Sequence, residues 1–184
     1  MKYDVIVIGS GVGGYPAASC LATRGLKVAV IEEHLVGGEC TNYGCVPSKA
    51  LYHIAESVKA IEKIGGRAEC NWANVLEWAK GIVSEARRGI EYLLKSKGVV
   101  YTGKGILKSP REIKVFLEDE VIELEANRVL LAVGTDPADL PNVRFDKRGV
   151  ISNREALYLM EKPERVVVIG GGVVGVDLQT FTHH

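Results

Sequence analysis

Residues 5–14 read VIVIGSGVGG, so a short apolar run passes directly into a glycine-rich turn. Residues 15–24 follow as a helix of small side chains, which ends at Gly25, and residues 26–31 form a second apolar run. Continuous apolar strands are typical of a parallel sheet that is buried on both faces. The order strand, tight turn, helix, strand predicts a Rossmann-like α/β fold.

The glycines of this turn have the spacing Gly-x-Gly-x-x-Gly, and each has a separate role in a dinucleotide site. Gly9 allows the tight turn, Gly11 lets the backbone approach a pyrophosphate, and Gly14 lets the helix pack closely on the strand. The phosphates are expected at the helix N-terminus. Glu32 lies 18 residues after Gly14, beside Glu33, and is expected to accept hydrogen bonds from ribose hydroxyls. A solvated surface acid is the alternative interpretation of Glu32.

Two cysteines, Cys40 and Cys45, lie five residues apart in the run GGECTNYGCVPSK, which ends at Lys49. Such a pair can cycle between dithiol and disulfide, which is a two-electron couple. In a regular α-helix, residues five apart have Cα atoms about 8.6 Å apart, beyond the roughly 7 Å that a disulfide spans. A bond between the two cysteines therefore requires a distorted backbone, which Asn42 and Gly44 tolerate.

Metal binding is the alternative role for this pair, but the sequence lacks a second Cys or His pair at suitable spacing. The other two cysteines, Cys20 and Cys70, are interpreted as small buried hydrophobic residues.

The composition is that of a soluble globular protein. Of the 184 residues, 47% are hydrophobic and 25% are charged. Lys plus Arg and Asp plus Glu number 23 each, so the formal net charge is zero and the totals imply no nucleic-acid partner. The apolar run at residues 3–8 is too short for a signal peptide or membrane span. We expect a cytoplasmic protein, in which a close cysteine pair is more often catalytic or metal-binding than structural.

The middle of the chain predicts two helices followed by antiparallel strands. Apolar residues at helical spacing place the helices at residues 48–63 and 72–97. A strand is expected at residues 99–101, a hairpin at 112–124 and a further buried strand at 128–133.

A second Gly-x-Gly-x-x-Gly motif, formed by Gly170, Gly172 and Gly175, follows a predicted strand at residues 165–169. The same steric argument, applied again, implies a second dinucleotide.

A loop-like region with two prolines separates the two motifs. We therefore expect a first nucleotide-binding domain at residues 1–145 and the start of a second at residues 146–184. No second strand follows the second motif, so the residue that would select between NAD and NADP is absent. The chain ends with His183 and His184, which we interpret as a truncated helix end or the remnant of a tag.

In this order, the motifs resemble those of the class I pyridine nucleotide-disulfide oxidoreductases, and the redox segment is most similar to that of dihydrolipoamide dehydrogenases. The resemblance covers the whole chain. It implies FAD at the first glycine motif and NAD at the second, with NADP not excluded. The implied fold is an FAD-binding domain with a parallel sheet and an antiparallel β insertion, followed by the first strand, turn and helix of an NAD-binding unit.

The resemblance also assigns roles to individual residues. Cys40 would exchange with the substrate disulfide, Cys45 would lie against the flavin, and Lys49 would stabilise the reduced flavin from beside its N5 atom. Lys49 would pair with Asp177, where the family usually has Glu, so the shorter side chain predicts a looser or water-bridged pair. Glu39 stands where a Thr is usual. The other expected cofactor-binding residues are Gly9, Gly11, Gly14, Glu32, Glu33, Gly38, Gly105 near the adenine, Ala132, Gly134, Gly170, Gly172 and Gly175.

The reaction implied by the resemblance is the oxidation of dihydrolipoamide by NAD⁺ to lipoamide and NADH, through the cysteine pair and FAD. The substrate would be a small-molecule or lipoyl-domain disulfide, the full-length protein would be a homodimeric enzyme, and no nucleic acid or membrane would take part. Mercuric reductase is the alternative within the class.

Full-length members of the family continue into a second part of the FAD domain and an interface domain with an acid/base histidine. For the 184-residue chain alone, an inactive, truncated nucleotide-binding fragment is therefore the alternative. An exposed sheet edge and uncovered apolar surface are then expected.

Overall fold

The computed structural model describes residues 1–182 of the chain. Its internal contacts define two compact units. The first comprises Met1–Asn42 and Ala86–Thr135, and the second comprises Tyr43–Glu85 and Asp136–His184. The predicted domains at residues 1–145 and 146–184 divide the chain differently, and they stay a prediction.

The first unit is built on one six-stranded sheet. The strands are β1 Lys2–Ile8, β2 Val28–Glu32, β3 Val99–Thr102, β4 Lys104–Ser109, β5 Glu112–Phe116 and β6 Val121–Leu131. Their spatial order is β3-β2-β1-β6-β5-β4, in which β1, β2, β3 and the second half of β6 run parallel. Strands β4, β5 and the first half of β6 pair antiparallel. The expected parallel sheet with an antiparallel insertion is confirmed.

Six helices accompany these strands in the described part of the chain. They are α1 Gly14–Thr23, α2 Gly38–Tyr43, α3 Cys45–Lys63, α4 Trp72–Lys97, α5 Asn153–Ala156 and α6 Val173–Thr182. The predicted helices at residues 48–63 and 72–97 are confirmed, and α3 begins three residues earlier than expected. Strand β4 and the short helices α2 and α5 have no counterpart in the sequence-based prediction.

Strands β1 and β2 of the first unit are buried on both faces, between which their side chains alternate. On one face, Ile6 and Ile8 of β1 pack with residues of β2, β5 and β6. On the other face, Val5 and Val7 pack with α1 and with Leu94 near the end of α4. The second unit has its own core, formed by residues of α3, the start of α4 and Leu157.

The hairpin predicted at residues 112–124 is present as β5 and the first part of β6, but β6 then continues through residues 128–131, where a separate strand at 128–133 was predicted. One continuous strand pairs with β5 up to Glu125 and with β1 from Glu125 onward. The predicted burial of its end is wrong, because Leu131 is 59% exposed. Helix α1 packs mainly against β1 and β2, so it leaves this end of β6 uncovered.

The predicted strand at residues 165–169 is also wrong. These residues have no regular secondary structure, and Val167 and Ile169 are 89% and 68% exposed. A strand needs a hydrogen-bonded neighbour, and the described part of the second unit contains no other strand. The helix that should follow the second glycine motif is present as α6. None of the described helices has the length and apolar character to cross a membrane.

Candidate functional site

The first glycine turn is held by close contacts between backbone atoms. Gly9 has a φ of +95°, which favours glycine, and a Cβ there would overlap the carbonyl oxygen of Ala132. A Cβ on Gly14, at the start of α1, would overlap the carbonyl oxygen of Gly9. At Gly11, by contrast, a Cβ would make only an ordinary contact of 3.7 Å with the Cα of Gly38. Gly9 and Gly14 thus have the predicted steric roles, and ligand binding at Gly11 stays a prediction.

Glu32 ends β2 beside this turn, and hydrogen bonds anchor both of its carboxylate oxygens. Its Oε2 accepts from the backbone nitrogen of Ser10 at 2.8 Å and from the Ser10 hydroxyl at 2.6 Å. Its Oε1 accepts from the backbone nitrogen of His34 at 2.9 Å. A carboxylate has about four acceptor positions, so an anchored Glu32 can still accept a ribose hydroxyl. A freely solvated surface acid does not describe this side chain.

Two more predicted residues lie close to the end of β2. A Cβ on Gly105 would be 3.2 Å from the Cγ2 of Ile31, so β4 passes close to β2 at this glycine. Glu33 is exposed, and its Oε1 forms an ion pair at 3.3 Å with the Nζ of Lys104. The structure therefore brings Glu32, Glu33 and Gly105 to the same edge of the sheet.

The loop after β6 reaches that edge as well. The backbone nitrogen of Ala132 donates to the carbonyl oxygen of Ile8 at 2.8 Å, which extends the pairing of β6 with β1. Two residues later, Gly134 has a φ of +70°, and a Cβ there would meet no described atom within 4 Å. The backbone at Gly134, just after the end of β6, is thus accessible to a ligand.

The redox segment contains a break between two helices. Helix α2 ends at Tyr43 and α3 begins at Cys45, and Gly44 between them has φ −142° and ψ −109°. Cys40 and Cys45 are both disulfide-bonded. The expected distortion of the backbone is confirmed, and Gly44 provides it. Asn42 stays helical and buried, where its Nδ2 donates to the carbonyl oxygens of Val36 and Gly38 at 3.1 and 2.9 Å.

The other two cysteines are free thiols, and their predicted burial is wrong. Both Cys20 and Cys70 are exposed. Two residues along an α-helix correspond to about 200° around its axis, so Cys20 lies on the opposite side of α1 from the buried Ala18. Its sulfur accepts a hydrogen bond from the guanidinium of Arg24.

Within the second unit, Lys49 of α3 meets Asp177 of α6. The Nζ of Lys49 lies 2.5 Å from the Oδ2 of Asp177. The predicted pairing is confirmed, but the expectation of a looser or water-bridged contact is wrong. Asp177 reaches Lys49 directly despite having one methylene less than the usual Glu.

The second glycine turn repeats the steric arrangement of the first. Gly170 has a φ of +113°, and a Cβ on Gly175 would lie 2.6 Å from the carbonyl oxygen of Gly170. A Cβ on Gly172 would meet no described atom within 4 Å. The turn and α6 are thus formed although the preceding strand is not.

Tyr43, which lies between the two cysteines, has contacts in the second unit that the sequence analysis did not predict. The Nδ2 of Asn153 donates to the Tyr43 carbonyl oxygen at 2.8 Å. The guanidinium carbon of Arg154 lies 5.5 Å from the centre of the Tyr43 ring, and the ring of Tyr158 meets it edge to face at 6.4 Å. The one signal in the sequence was the Ser-x-x-Glu pattern that begins at Ser152, which is typical of a helix N-terminus.

That pattern forms a complete capping box at the start of α5. The backbone nitrogen and the hydroxyl of Ser152 both donate to the Oε2 of Glu155, at 2.9 and 2.5 Å. The hydrogen bond from the Ser152 hydroxyl lowers the pKa of Glu155 below its ordinary value.

Over residues 1–182, no three His, Cys, Asp or Glu side chains are grouped so as to hold a metal ion. His183 and His184 lie outside the described residues.

Comparisons with known proteins agree with the features described above. The family model for pyridine nucleotide-disulphide oxidoreductases matches residues 3–183. The chain is 35% identical over 188 residues to the dihydrolipoyl dehydrogenase of Chlorobaculum parvum, and 39% identical over 187 residues to dihydrolipoyl dehydrogenase 3 of Pseudomonas aeruginosa. These alignments cover 98% and 96% of this chain and 40% of each relative. The chain therefore spans about two fifths of the length of these relatives.

Among solved structures, the chain is similar to the HOCl-induced flavoprotein disulfide reductase RclA from Escherichia coli, in its Cu(II) complex. The TM-score is 0.84 at 24% sequence identity, over 98% of this chain and 41% of that chain. At this identity the similarity supports the fold.

Proposed function

Because the chain belongs to the pyridine nucleotide-disulphide oxidoreductase family, we propose that it carries the FAD-binding and dithiol/disulfide part of a flavin-dependent oxidoreductase. The proposed reaction is the oxidation of dihydrolipoamide by NAD⁺ to lipoamide, NADH and a proton. The observation that carries the proposal is the disulfide-bonded state of Cys40 and Cys45. The same chain has a first glycine turn with the close backbone contacts expected at a dinucleotide site. The similarity to dihydrolipoyl dehydrogenases favours this substrate over mercuric ion.

The residues at the first glycine turn fit a dinucleotide such as FAD. Gly11 presents backbone without a side chain, and the helix N-terminus after it favours phosphate groups. The anchored carboxylate of Glu32 has acceptor positions left for the ribose. Gly134 leaves open backbone at the neighbouring strand end. FAD, when bound, supplies transfer of an electron pair between the dithiol and the nicotinamide.

The cysteine pair exchanges electrons with the substrate. A thiolate of dihydrolipoamide attacks the Sγ of Cys40, which breaks the Cys40–Cys45 disulfide and forms a mixed disulfide. The second substrate thiolate then releases Cys40 and closes lipoamide. The substrate loses two electrons, and the cysteine pair gains them. When NAD⁺ takes up the electron pair as a hydride, the disulfide forms again and one proton leaves.

Lys49 supplies a positive charge that favours the Cys45 thiolate formed when the disulfide opens. Cations lower the pKa of neighbouring cysteines and favour the thiolate, which is the reactive form. Asp177 holds the Lys49 ammonium through the contact at 2.5 Å. We propose that Lys49 stabilises the thiolate of Cys45, and that Asp177 fixes the direction of the lysine side chain.

The proposal extends to the complete protein. We propose a cytoplasmic homodimer that acts on a small or lipoyl-domain disulfide and uses NAD at the second glycine motif. The repeated geometry of Gly170 and Gly175 supports the nucleotide part of this proposal.

The purified 184-residue chain tests the proposal directly. The chain is incubated with FAD, desalted and examined for flavin absorbance, and lipoamide reduction by NADH is then followed at 340 nm. Bound flavin and activity that is lost in Cys45→Ser support the oxidoreductase. A colourless, inactive chain contradicts autonomous activity and supports the alternative, a truncated nucleotide-binding fragment.

A further inference from the structure

We propose that Asn153 and Arg154 of α5 are positioning residues for the Cys40–Cys45 pair, and that they act through Tyr43. This inference rests on the proposed function, since it takes the pair as the redox centre. The three residues that carry the contact, Tyr43, Asn153 and Arg154, all belong to the second unit.

The first contact fixes the backbone of Tyr43. The last carbonyl groups of a helix lack partners within the helix, and Tyr43 is the last residue of α2. The side-chain amide of Asn153 donates to the Tyr43 carbonyl oxygen at 2.8 Å and so supplies a partner. The peptide group between Tyr43 and Gly44 is thereby held two residues before Cys45.

The second contact fixes the ring of Tyr43. The guanidinium of Arg154 lies over one face, 5.5 Å from the ring centre, which is within the range of a cation–π interaction. The Nη2 of Arg154 is itself held by the Oδ1 of Asp136 at 2.8 Å. Tyr158 meets the same ring edge to face, with an angle of 86° between the ring planes.

Helix α5 is short, but its own attachment makes it a firm support for Tyr43. The capping box of Ser152 and Glu155 closes its N-terminus. Leu157, the residue after the helix, is 2% exposed and belongs to the core of the second unit. Contacts from Asn153 and Arg154 therefore restrain Tyr43 relative to a packed core.

This restraint bears on the chemistry of the cysteines. Gly44 lies between Tyr43 and Cys45, and glycine loses more conformational freedom on ordering than any other residue. A Tyr43 that is already held lowers the entropy lost when Cys45 closes onto Cys40. Both positioning residues therefore stabilise the disulfide relative to the dithiol.

The test measures the equilibrium between disulfide and dithiol in the 184-residue chain without flavin. Dithiothreitol gives two electrons and two protons to the cysteine pair and becomes its cyclic disulfide. In buffers with graded ratios of reduced and oxidised dithiothreitol, alkylation and mass spectrometry give the reduced fraction of the peptides with Cys40 and Cys45. Asn153→Asp removes the donor to Tyr43 while keeping a residue that favours a helix start. We expect its equilibrium constant for reduction to rise about fivefold, because Tyr43 then loses the restraint of about one hydrogen bond and closing the disulfide costs more entropy.

A matched control separates the lost hydrogen bond from the added charge. Asn71→Asp introduces the same charge before α4, where the side-chain oxygen that accepts from the backbone nitrogen of Asn74 is retained. We expect the wild-type equilibrium constant for this control. An equilibrium constant for Asn153→Asp within twofold of the control overturns the role of Asn153.

A second series tests the ring contact and keeps the proposal testable if one variant fails to fold. Arg154→Gln and Tyr43→Ala remove the cation–π contact, and we expect both to raise the equilibrium constant for reduction about threefold. Arg154→Lys retains a cation and Tyr43→Phe retains a ring. We expect both variants to have the wild-type equilibrium constant for reduction. The role of Arg154 is overturned if the Gln and Lys variants behave alike.

The outcome also separates this inference from the proposed function. If the wild-type pair does not interconvert reversibly with dithiothreitol, the redox role of the cysteines fails and the inference fails with it. If the wild-type pair interconverts but the variants match it, only the inference fails.

Discussion

The carbonyl oxygen of Gly9 leaves no room for a side chain at Gly14, the first residue of α1. A Cβ on Gly14 would overlap the Gly9 carbonyl oxygen, and backbone cannot move aside as a flexible side chain can. We expect Gly14→Ala to lower the free energy of unfolding by about 1–3 kcal/mol, the usual cost of overpacking. Urea unfolding measures this change.

Gly81 offers a matched control for that substitution. It lies inside α4, and a Cβ there would meet no described atom within 4 Å. We expect Gly81→Ala to raise the free energy of unfolding by about 0.5–1 kcal/mol, because alanine favours the helix more than glycine does. Destabilisation of equal size in both variants would contradict the steric explanation for Gly14.

The hydroxyl of Tyr3 predicts how the first unit responds to alkaline pH. Burial, together with the 2.7 Å hydrogen bond to the Tyr101 hydroxyl, raises the pKa of Tyr3 to about 12. Because the pKa is raised in the folded state, this stabilisation is complete below pH 10 and is lost as the pH rises through about 12. We expect Tyr3→Phe to flatten the fall of the unfolding free energy over this interval.

Absorbance at 295 nm, which follows tyrosine ionisation, measures the same effect in the folded protein. Tyr92 is 77% exposed, so Tyr92→Phe is the control. We expect Tyr3→Phe to remove the part of the absorbance rise that occurs near pH 12. Ionisation of Tyr3 near pH 10, the ordinary pKa of a tyrosine, would show that its burial has no effect.

At the scale of the element, the N-terminus of α5 depends on one capping box. Ser152→Ala removes the hydroxyl bonded to Glu155, and we expect the free energy of unfolding to fall by about 1 kcal/mol. The hydrogen bond from Ser152 lowers the pKa of Glu155, so its stabilisation is present above pH 4.5 and is lost as the pH falls through the lowered pKa. Thermal unfolding between pH 3 and 7 measures both effects.

Ser57→Ala is the control for the capping box. The Ser57 hydroxyl donates to the backbone of His53 inside α3, where no helix terminus needs a partner. We expect little change at any pH. A capping role for Ser152 is ruled out if the two alanine variants lose stability equally.

The elements that the sequence predicted best are those in which apolar residues recur at a constant spacing over the whole element. Helix α4 occupies residues 72–97 as expected, because its apolar residues recur at helical spacing over its whole length. Strand β4 lacks strict alternation, so its GILKS sequence gave no period-two signal. Residues 166–169 are all apolar and still form no strand, because an apolar composition does not provide a hydrogen-bonded neighbour.

Some contacts of the candidate site were likewise predictable from the sequence, and others were not. The Lys49–Asp177 pair was predictable through the family resemblance, which implies that this lysine pairs with the acid at that position. Ser10 was missed as the anchor of Glu32, and Asn153 and Arg154 were missed beside Tyr43, because neither a motif nor the resemblance connects these positions. Neither hydrophobic period nor motif spacing specifies such a contact.

At the scale of the whole chain, uncovered apolar surface predicts limited solubility. Past Glu125, the described strands pair with only one edge of β6, and Leu131 and Val133 are 59% and 70% exposed. Open apolar edges promote association between molecules. We expect Leu131→Lys to lower light scattering at equal protein concentration without loss of stability. The exposed sheet edge and the uncovered apolar surface that we expected are both confirmed in the described residues.

The control for that substitution is Tyr92→Lys, which adds the same charge at an exposed position of α4. We expect it to leave light scattering unchanged. If both lysine variants scatter less, net charge rather than the β6 edge governs solubility.

The pairing of β1 with β6 also has a consequence for the synthesis of the protein. Lys2 is paired with Glu125, so the first strand leaves the ribosome long before its central partner exists. At 5–20 residues per second, about 120 residues take roughly 6–25 s to translate. During that interval one side of β1 lacks its strand partner, although β2 is already available on the other side. The last strand of the sheet, and not the glycine turn that identifies the fold, therefore sets the earliest moment at which the first unit can close.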